Sequence, residues 1–127
     1  MFTNKAYKFW FCTGSQDLYG DECLANVAEH SRIIVDKLNA SGLLPYEVVW
    51  KPTLITNEVI RKTFNEANND EDCAGVIVWC HTFSPAKSWI LGLKELRKPL
   101  LHLHTQFNEE IPYDEIDMDF MNENQSA

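Results

Sequence analysis

Seven consecutive residues, Ala74 to Cys80 (AGVIVWC), are almost continuously apolar. A strand with one face in water alternates apolar and polar side chains. An unbroken apolar run needs cover on both faces, as in the middle of a parallel sheet. Parallel strands in turn need crossovers long enough to hold a helix. Four segments read as strands: Tyr7 to Thr13, Tyr46 to Trp50, Ala74 to Cys80, and Leu100 to Leu103. Three amphipathic segments lie between them. This alternation predicts an α/β fold: a three-layer open sandwich with a parallel sheet and helices on both faces, flavodoxin/Rossmann-like. A chain of 127 residues fits one such domain, 1–127.

The helical segments carry their own punctuation. In the first, Leu24, Val27, Ala28, Ile34, Val35 and Leu38 recur at helical spacing. Asp21 and Glu22 sit at its start, where negative charge suits the helix dipole, and Gly42 lies just past its end. In the second, Val59, Ile60, Phe64 and Ala67 form the stripe, with Thr56 as N-cap. The third is expected to open at Ser84-Pro85, a cap followed by proline at the first helical position. Its apolar face is expected to comprise Trp89, Ile90, Leu93 and Leu96.

In open α/β sheets, ligands bind beyond the carboxyl ends of the strands. The loop leaving the first strand, GSQDLYG from Gly14 to Gly20, is dense in suitable groups. Ser15 and Gln16 offer hydrogen bonds, Asp17 a carboxylate, and Tyr19 a ring with a hydroxyl. It has neither GxGxxG nor GxxxxGK[ST], which argues against a nucleotide. The third strand runs into His81-Thr82-Phe83 and the fourth into His104-Thr105-Gln106-Phe107. All three loops leave one edge of a parallel sheet. His81, Thr82, Phe83, Ser84 and Lys87 combine polar groups with one aromatic ring. A polyol site needs that mixture: hydrogen bonds to hydroxyls and an apolar wall for the C–H face.

Several other chemistries are disfavoured. A net charge of −8 argues against nucleic acid and anionic membrane surfaces. No apolar run approaches the roughly 20 residues of a membrane span, and the N-terminal MFTNKAYKFWFCTG is not a signal peptide. Cys12, Cys23, Cys73 and Cys80 form no CxxC pair and read as reduced thiols of a cytoplasmic protein. His102 and His104 point to one face of a strand, but nothing with recognisable spacing completes a metal site. Cys80 and His81 point to opposite faces, which argues against a cysteine nucleophile. The acidic residues Glu109, Glu110, Asp114, Glu115, Asp117 and Asp119 lack EF-hand order and read as a solvated loop. Ile116, Met118, Phe120 and Met121 mark a partly apolar segment with no element after it, so a piece of a longer protein is expected.

Four strings carry a resemblance: GSQDLYG at Gly14, CAGVIVWCHTFSPAK from Cys73, KPLLHLHTQFN from Lys98, and IDMDFMNENQSA from Ile116. In this order, from Trp10 to Ala127, the chain resembles the N-terminal domain of bacterial L-arabinose isomerase. The resemblance implies a metal-dependent aldose–ketose isomerase interconverting L-arabinose and L-ribulose. In that family a divalent ion, usually Mn²⁺, grips two substrate oxygens, and paired glutamates move a proton through an enediol. Those glutamates and the metal-binding histidines belong to a later part of the family's chain, so no catalytic residue and no metal ligand is expected here. The resemblance assigns Gln16, Leu18, Tyr19, Phe83 and Gln125 to the sugar-binding wall, and gives Asp17 no role. It also implies homo-oligomers, hexamers with active sites between subunits. The domain alone is expected to be inactive and to self-associate. The rival is a stand-alone α/β sugar-binding or scaffold module, distinguished by reading the gene past codon 127. A flavin-binding domain is disfavoured because the first loop lacks a Ser/Thr-rich phosphate site.

Overall fold

The structure, a computed structural model, describes residues 6–15, 20–81, 84–105 and 114. Its strands are β1 (Lys8–Gly14), β2 (Glu47–Trp50), β3 (Cys73–Cys80) and β4 (Leu100–Leu103). Its helices are α1 (Gly20–Ala40), α2 (Asn57–Asn69) and α3 (Ile90–Glu95), the last preceded by a 3-10 turn, Ala86–Ser88. The strands are all parallel and lie in the order β2-β1-β3-β4. The two most apolar runs, β1 and β3, therefore occupy the middle, as the expected α/β sandwich requires.

The alternation of side chains along β1 and β3 separates two cores. Trp10, Cys12, Val76, Val78 and Cys80 pack with Ile60, Phe64 and Ala67 of α2 and with Trp89. Phe11 and Trp79 face the other way and pack with Val35 of α1 and Val48 of β2. Phe11 and Trp79 are fully buried, their ring centroids 6.3 Å apart. Burying such large side chains contributes about 1.5–3 kcal/mol each.

Helix α1 buries Val27, Ser31 and Val35 along one line. The serine is a polar residue in an apolar stripe, and its hydroxyl is satisfied twice. It donates to the Ala28 carbonyl at 2.8 Å and accepts from Trp50 Nε1 at 2.7 Å. Gly42, at φ 68°, follows the helix in the left-handed conformation that glycine adopts at low cost. Helix α2 starts as its sequence predicts: Thr56 Oγ1 accepts from the Val59 N–H at 3.2 Å.

The third helical segment departs from expectation. Ser84 and Pro85 do not cap an α-helix; the chain first makes the 3-10 turn, and α-helix begins only at Ile90. Ser84 Oγ instead accepts from Trp89 Nε1 at 2.8 Å. The indole is buried, and leaving its N–H without a partner costs about 1–3 kcal/mol, at least as much as a missing cap. The expected apolar face also differs. Trp89 is buried and Leu96 half-buried, but Ile90 and Leu93 are 58% and 41% exposed. Gly92 takes the buried line instead. A Cβ there would meet Ile60 Cγ2 at 2.9 Å and Phe64 Cδ2 at 3.1 Å, so α3 approaches α2 at a position only glycine fits. That approach turns the larger side chains outward.

Candidate functional site

The carboxyl edge of the sheet gathers three exits. Gly14 pairs with Cys80 and Trp79 with Leu103, so β1, β3 and β4 end at nearly one level. The five residues assigned to a sugar wall, Gln16, Leu18, Tyr19, Phe83 and Gln125, lie outside the described residues, as do Asp17, Thr82 and Gln106. The structure does describe Ser15 and Gly20, which flank residues 16–19, His81 and Ser84, which flank residues 82–83, and Thr105, which precedes Gln106.

The β1 exit is fixed by the connection after β2. The Leu54 N–H donates to the Thr13 carbonyl at 2.8 Å, and the Ser15 N–H donates to the Leu54 carbonyl at 3.1 Å. Leu54 and Ser15 are both buried. Gly20, where α1 begins, has φ 86°, which a side chain at this position would strain. The β4 exit is fixed by the indole of Trp79, which donates to the Thr105 carbonyl at 2.9 Å.

The β3 exit is held at both sides of residues 82–83. On the far side stands the buried Ser84 with its Trp89 bond. On the near side His81, 2% exposed, stacks on Trp79 with centroids 4.7 Å apart and planes 12° from parallel. His81 Nε2 lies 2.7 Å from Nδ1 of His30 on α1. One ring donates in this bond and the other accepts. Burial pushes the His81 imidazole down to about 4, with a smaller lowering from His30. Burial also lowers His30, opposed in part by the Glu29 carboxylate. His81 is therefore neutral at pH 7. Sequence reading singled out His81 but not its partner. The available signal was a polar residue three positions after Val27, at the margin of the apolar stripe of α1.

Cys80 behaves as its strand position predicts. It packs on the α2 side, away from His81, and burial pushes its thiol up to about 11. Cys12 is pushed up to about 12 in the same core, again mainly by burial. Neither is suited to nucleophilic work, since the thiolate is the reactive form. None of the four cysteines is in a disulfide.

His102 and His104 are both exposed on the β4 side, their rings 6.3 Å apart. Among the described residues no group of three His, Cys, Asp or Glu side chains could hold a metal ion. Of the acidic run, Asp114 is described and exposed; Glu109, Glu110, Glu115, Asp117 and Asp119 lie outside. Lys87 is exposed in the 3-10 turn. No described helix is long and apolar enough to cross a membrane.

The L-arabinose isomerase N-terminal domain family matches residues 3–127. A protein of Halalkalibacterium halodurans named L-arabinose isomerase is 62% identical over 127 residues, which is 100% of this chain and 26% of that protein. One of Geobacillus thermodenitrificans, with the same name, is 62% identical over the same span and 26% of its own length. One of Clostridium beijerinckii is 63% identical over 123 residues, 97% of this chain and 25% of that protein. The chain thus spans about a quarter of the length of these relatives. With its parallel sheet and a match that leaves only the first two residues uncovered, the chain belongs to the L-arabinose isomerase N-terminal domain family.

Proposed function

We propose that the chain serves as the N-terminal domain of an aldose–ketose isomerase that interconverts L-arabinose and L-ribulose by metal-assisted enediol proton transfer. The observation that carries this reading is the match over residues 3–127 to a family of that name. The reaction's metal, Mn²⁺, and its proton-moving glutamates are assigned to polypeptide outside this chain. This domain's own part is to bind and orient the aldose. Gln16, Leu18, Tyr19, Phe83 and Gln125 form the wall: amides and a phenol for the hydroxyls, apolar side chains for the C–H face. The gathering of the β1, β3 and β4 exits on one edge supports that assignment.

A second part is assembly. Leu91, Leu93, Leu100 and Leu101 are all more than 40% exposed, along α3 and β4. Exposed apolar groups of this size favour contact with further protein. In this reading they meet other parts of a homo-oligomer, a hexamer as the resemblance implies, with each domain serving a neighbouring subunit. The acidic composition and cysteines without disulfides support a cytoplasmic setting.

The test is a graft. The 127 residues replace the N-terminal quarter of the Halalkalibacterium halodurans relative, and L-ribulose formation from L-arabinose is followed with Mn²⁺ present. The graft is expected to turn over, and the 127-residue chain alone to be silent. A graft that folds and assembles yet makes no L-ribulose, or turnover by the chain alone, overturns the proposal.

A further inference from the structure

The two edges of the sheet are finished differently. At the outer edge of β2 the side chain of Asn39 stands in for a strand. Its Nδ2 donates to the Val48 carbonyl at 2.9 Å, and its Oδ1 accepts from the Val48 N–H at 2.7 Å. Strand β4, at the other edge, pairs with β3 alone among the described residues. The Pro99 carbonyl accepts from the Val76 N–H at 2.9 Å. In a parallel ladder alternate residues turn their N–H and C=O to the same neighbour. Leu101 and Leu103 therefore bond toward β3, whereas the backbone groups of Leu100 and His102 face outward. The strand LLHL has none of the devices that blunt an edge: no lysine, no proline and no bulge. Pro99, just ahead of it, turns toward β3 and leaves the outer edge clear.

Both faces of β4 are open as well, although a parallel sheet is normally covered on both. Leu101, in register with Ile77, is 58% exposed on the α1 side; Leu100, in register with Val76, is 43% exposed on the α2 side. Each borders an apolar cavity. One of about 320 Å³ lies between Leu100, Val78, Trp89 and Leu93, and one of about 290 Å³ between Leu101, Ile77, Phe9 and Leu44. We propose that the outer edge of β4 is a docking site for a parallel β-strand supplied by polypeptide outside this chain, bonded to the N–H and C=O groups of Leu100 and His102. Alternate side chains of such a strand point to opposite faces and so reach over both cavities. The inference rests on the isomerase reading above and narrows its assembly surface, since it gives Leu100 and Leu101 to the same polypeptide and not to a neighbouring subunit. The relatives are about four times as long as this chain, so each has polypeptide from which to supply the strand. A second copy fits less well. Two identical edges that meet about a two-fold axis pair antiparallel, and sheets tend to be purely parallel or purely antiparallel.

The experiment is amide hydrogen exchange in the full-length enzyme that carries this domain, read residue by residue by mass spectrometry with electron-transfer fragmentation. Leu101 and Leu103 report the ladder to β3, and Leu100 and His102 report the outer edge. All four amides are expected to exchange on the order of 1,000-fold more slowly than in an unstructured peptide. Fast exchange at Leu100 and His102 beside slow exchange at Leu101 and Leu103 means an open edge and overturns the inference. Slow exchange that is lost when the enzyme is diluted to protomers assigns the edge to a neighbouring subunit and overturns it too. A proline at an outward-facing position of an edge strand spares the bonds to β3, so His102→Pro is expected to speed exchange at Leu100 about tenfold or more while Leu101 stays protected. An unchanged Leu100 amide in that variant means that something other than a strand covers it, and overturns the inference. Where the variant does not fold, the wild-type pattern and its response to dilution decide. The reading does not depend on turnover: an enzyme with a protected edge that makes no L-ribulose from L-arabinose defeats the isomerase reading alone.

Discussion

Gly14 lies directly against the indole of Trp89: a Cβ on Gly14 would fall 2.6 Å from Trp89 Cζ2 and 3.0 Å from Cys80 Sγ. The last residue of β1 is thus a contact surface for the segment that follows β3. Gly14 is required for space, not for its own backbone conformation, because its φ is not positive. Gly14→Ala is expected to destabilise the protein by about 1–3 kcal/mol, the usual cost of overpacking. Urea denaturation checks it. The shift should fall in the midpoint with the slope unchanged. An alanine variant within about 0.5 kcal/mol of wild type would show that the indole moves aside freely.

The same indole makes a second, polar demand. Trp89 is 5% exposed, and its N–H donates to Ser84 Oγ. Ser84→Ala is expected to cost about 1–3 kcal/mol by stranding that donor. In a Trp89→Phe background the same substitution is expected to cost clearly less, since no donor remains to strand. A double-mutant cycle measures the difference. Equal costs in both backgrounds would mean that Ser84 acts through something other than the indole.

These two contacts mark where the sequence was legible and where it was not. The sheet could be read because β1 and β3 are apolar at successive positions, a pattern that suits a central parallel strand covered on both faces, and because helical segments alternate with the strands. Thr56 could be read because a cap acts within its own turn. Ser84-Pro85 carried the same local signature, but a buried tryptophan five residues on claimed the serine. Local pattern cannot register that competition, nor the glycine-sized gap at Gly92 that turned Ile90 and Leu93 outward. His30 escaped for a related reason: its partner is 51 residues away. Of the wall residues, Gln16, Tyr19 and Phe83 were legible from their loops as hydrogen-bonding or aromatic groups, whereas Leu18 and Gln125 were reached only through motif resemblance. The hydrogen bonds made at Ser15, His81, Ser84 and Thr105 came from geometry.

The cysteines give a chemical test of the packing. Cys12 and Cys80 sit in the α2-side core, where burial holds their thiols at about 12 and about 11. At pH 8 both are expected to resist iodoacetamide in the folded protein and to react at ordinary thiol rates in urea. Peptide mass spectrometry after timed alkylation reads each site separately. Rapid native-state labelling of Cys12 would contradict the closed core described around β1.

Acid should loosen the β3 exit before it unfolds the sheet. The His81 imidazole is held at about 4, below its ordinary 6.5, chiefly by burial. A folded-state value below the unfolded one means that the unfolded chain binds the proton more readily as pH falls. Stability from this residue is therefore complete above about 6.5, declines between about 6.5 and about 4, and declines no further below that. The full loss is of order 3 kcal/mol, with a smaller contribution in the same direction from His30. His81→Gln places an amide nitrogen near the Nε2 position and cannot take the proton. That variant is expected to show a flatter decline between pH 7 and pH 4 in urea midpoints. Tryptophan emission gives an independent reading, because a charged imidazole stacked on Trp79 quenches it. The wild-type protein should lose emission with an apparent midpoint near 4, a step that His81→Gln lacks. Identical acid profiles for the two proteins, in both stability and emission, would mean that His81 takes up no proton of consequence and that its burial is not what resists acid.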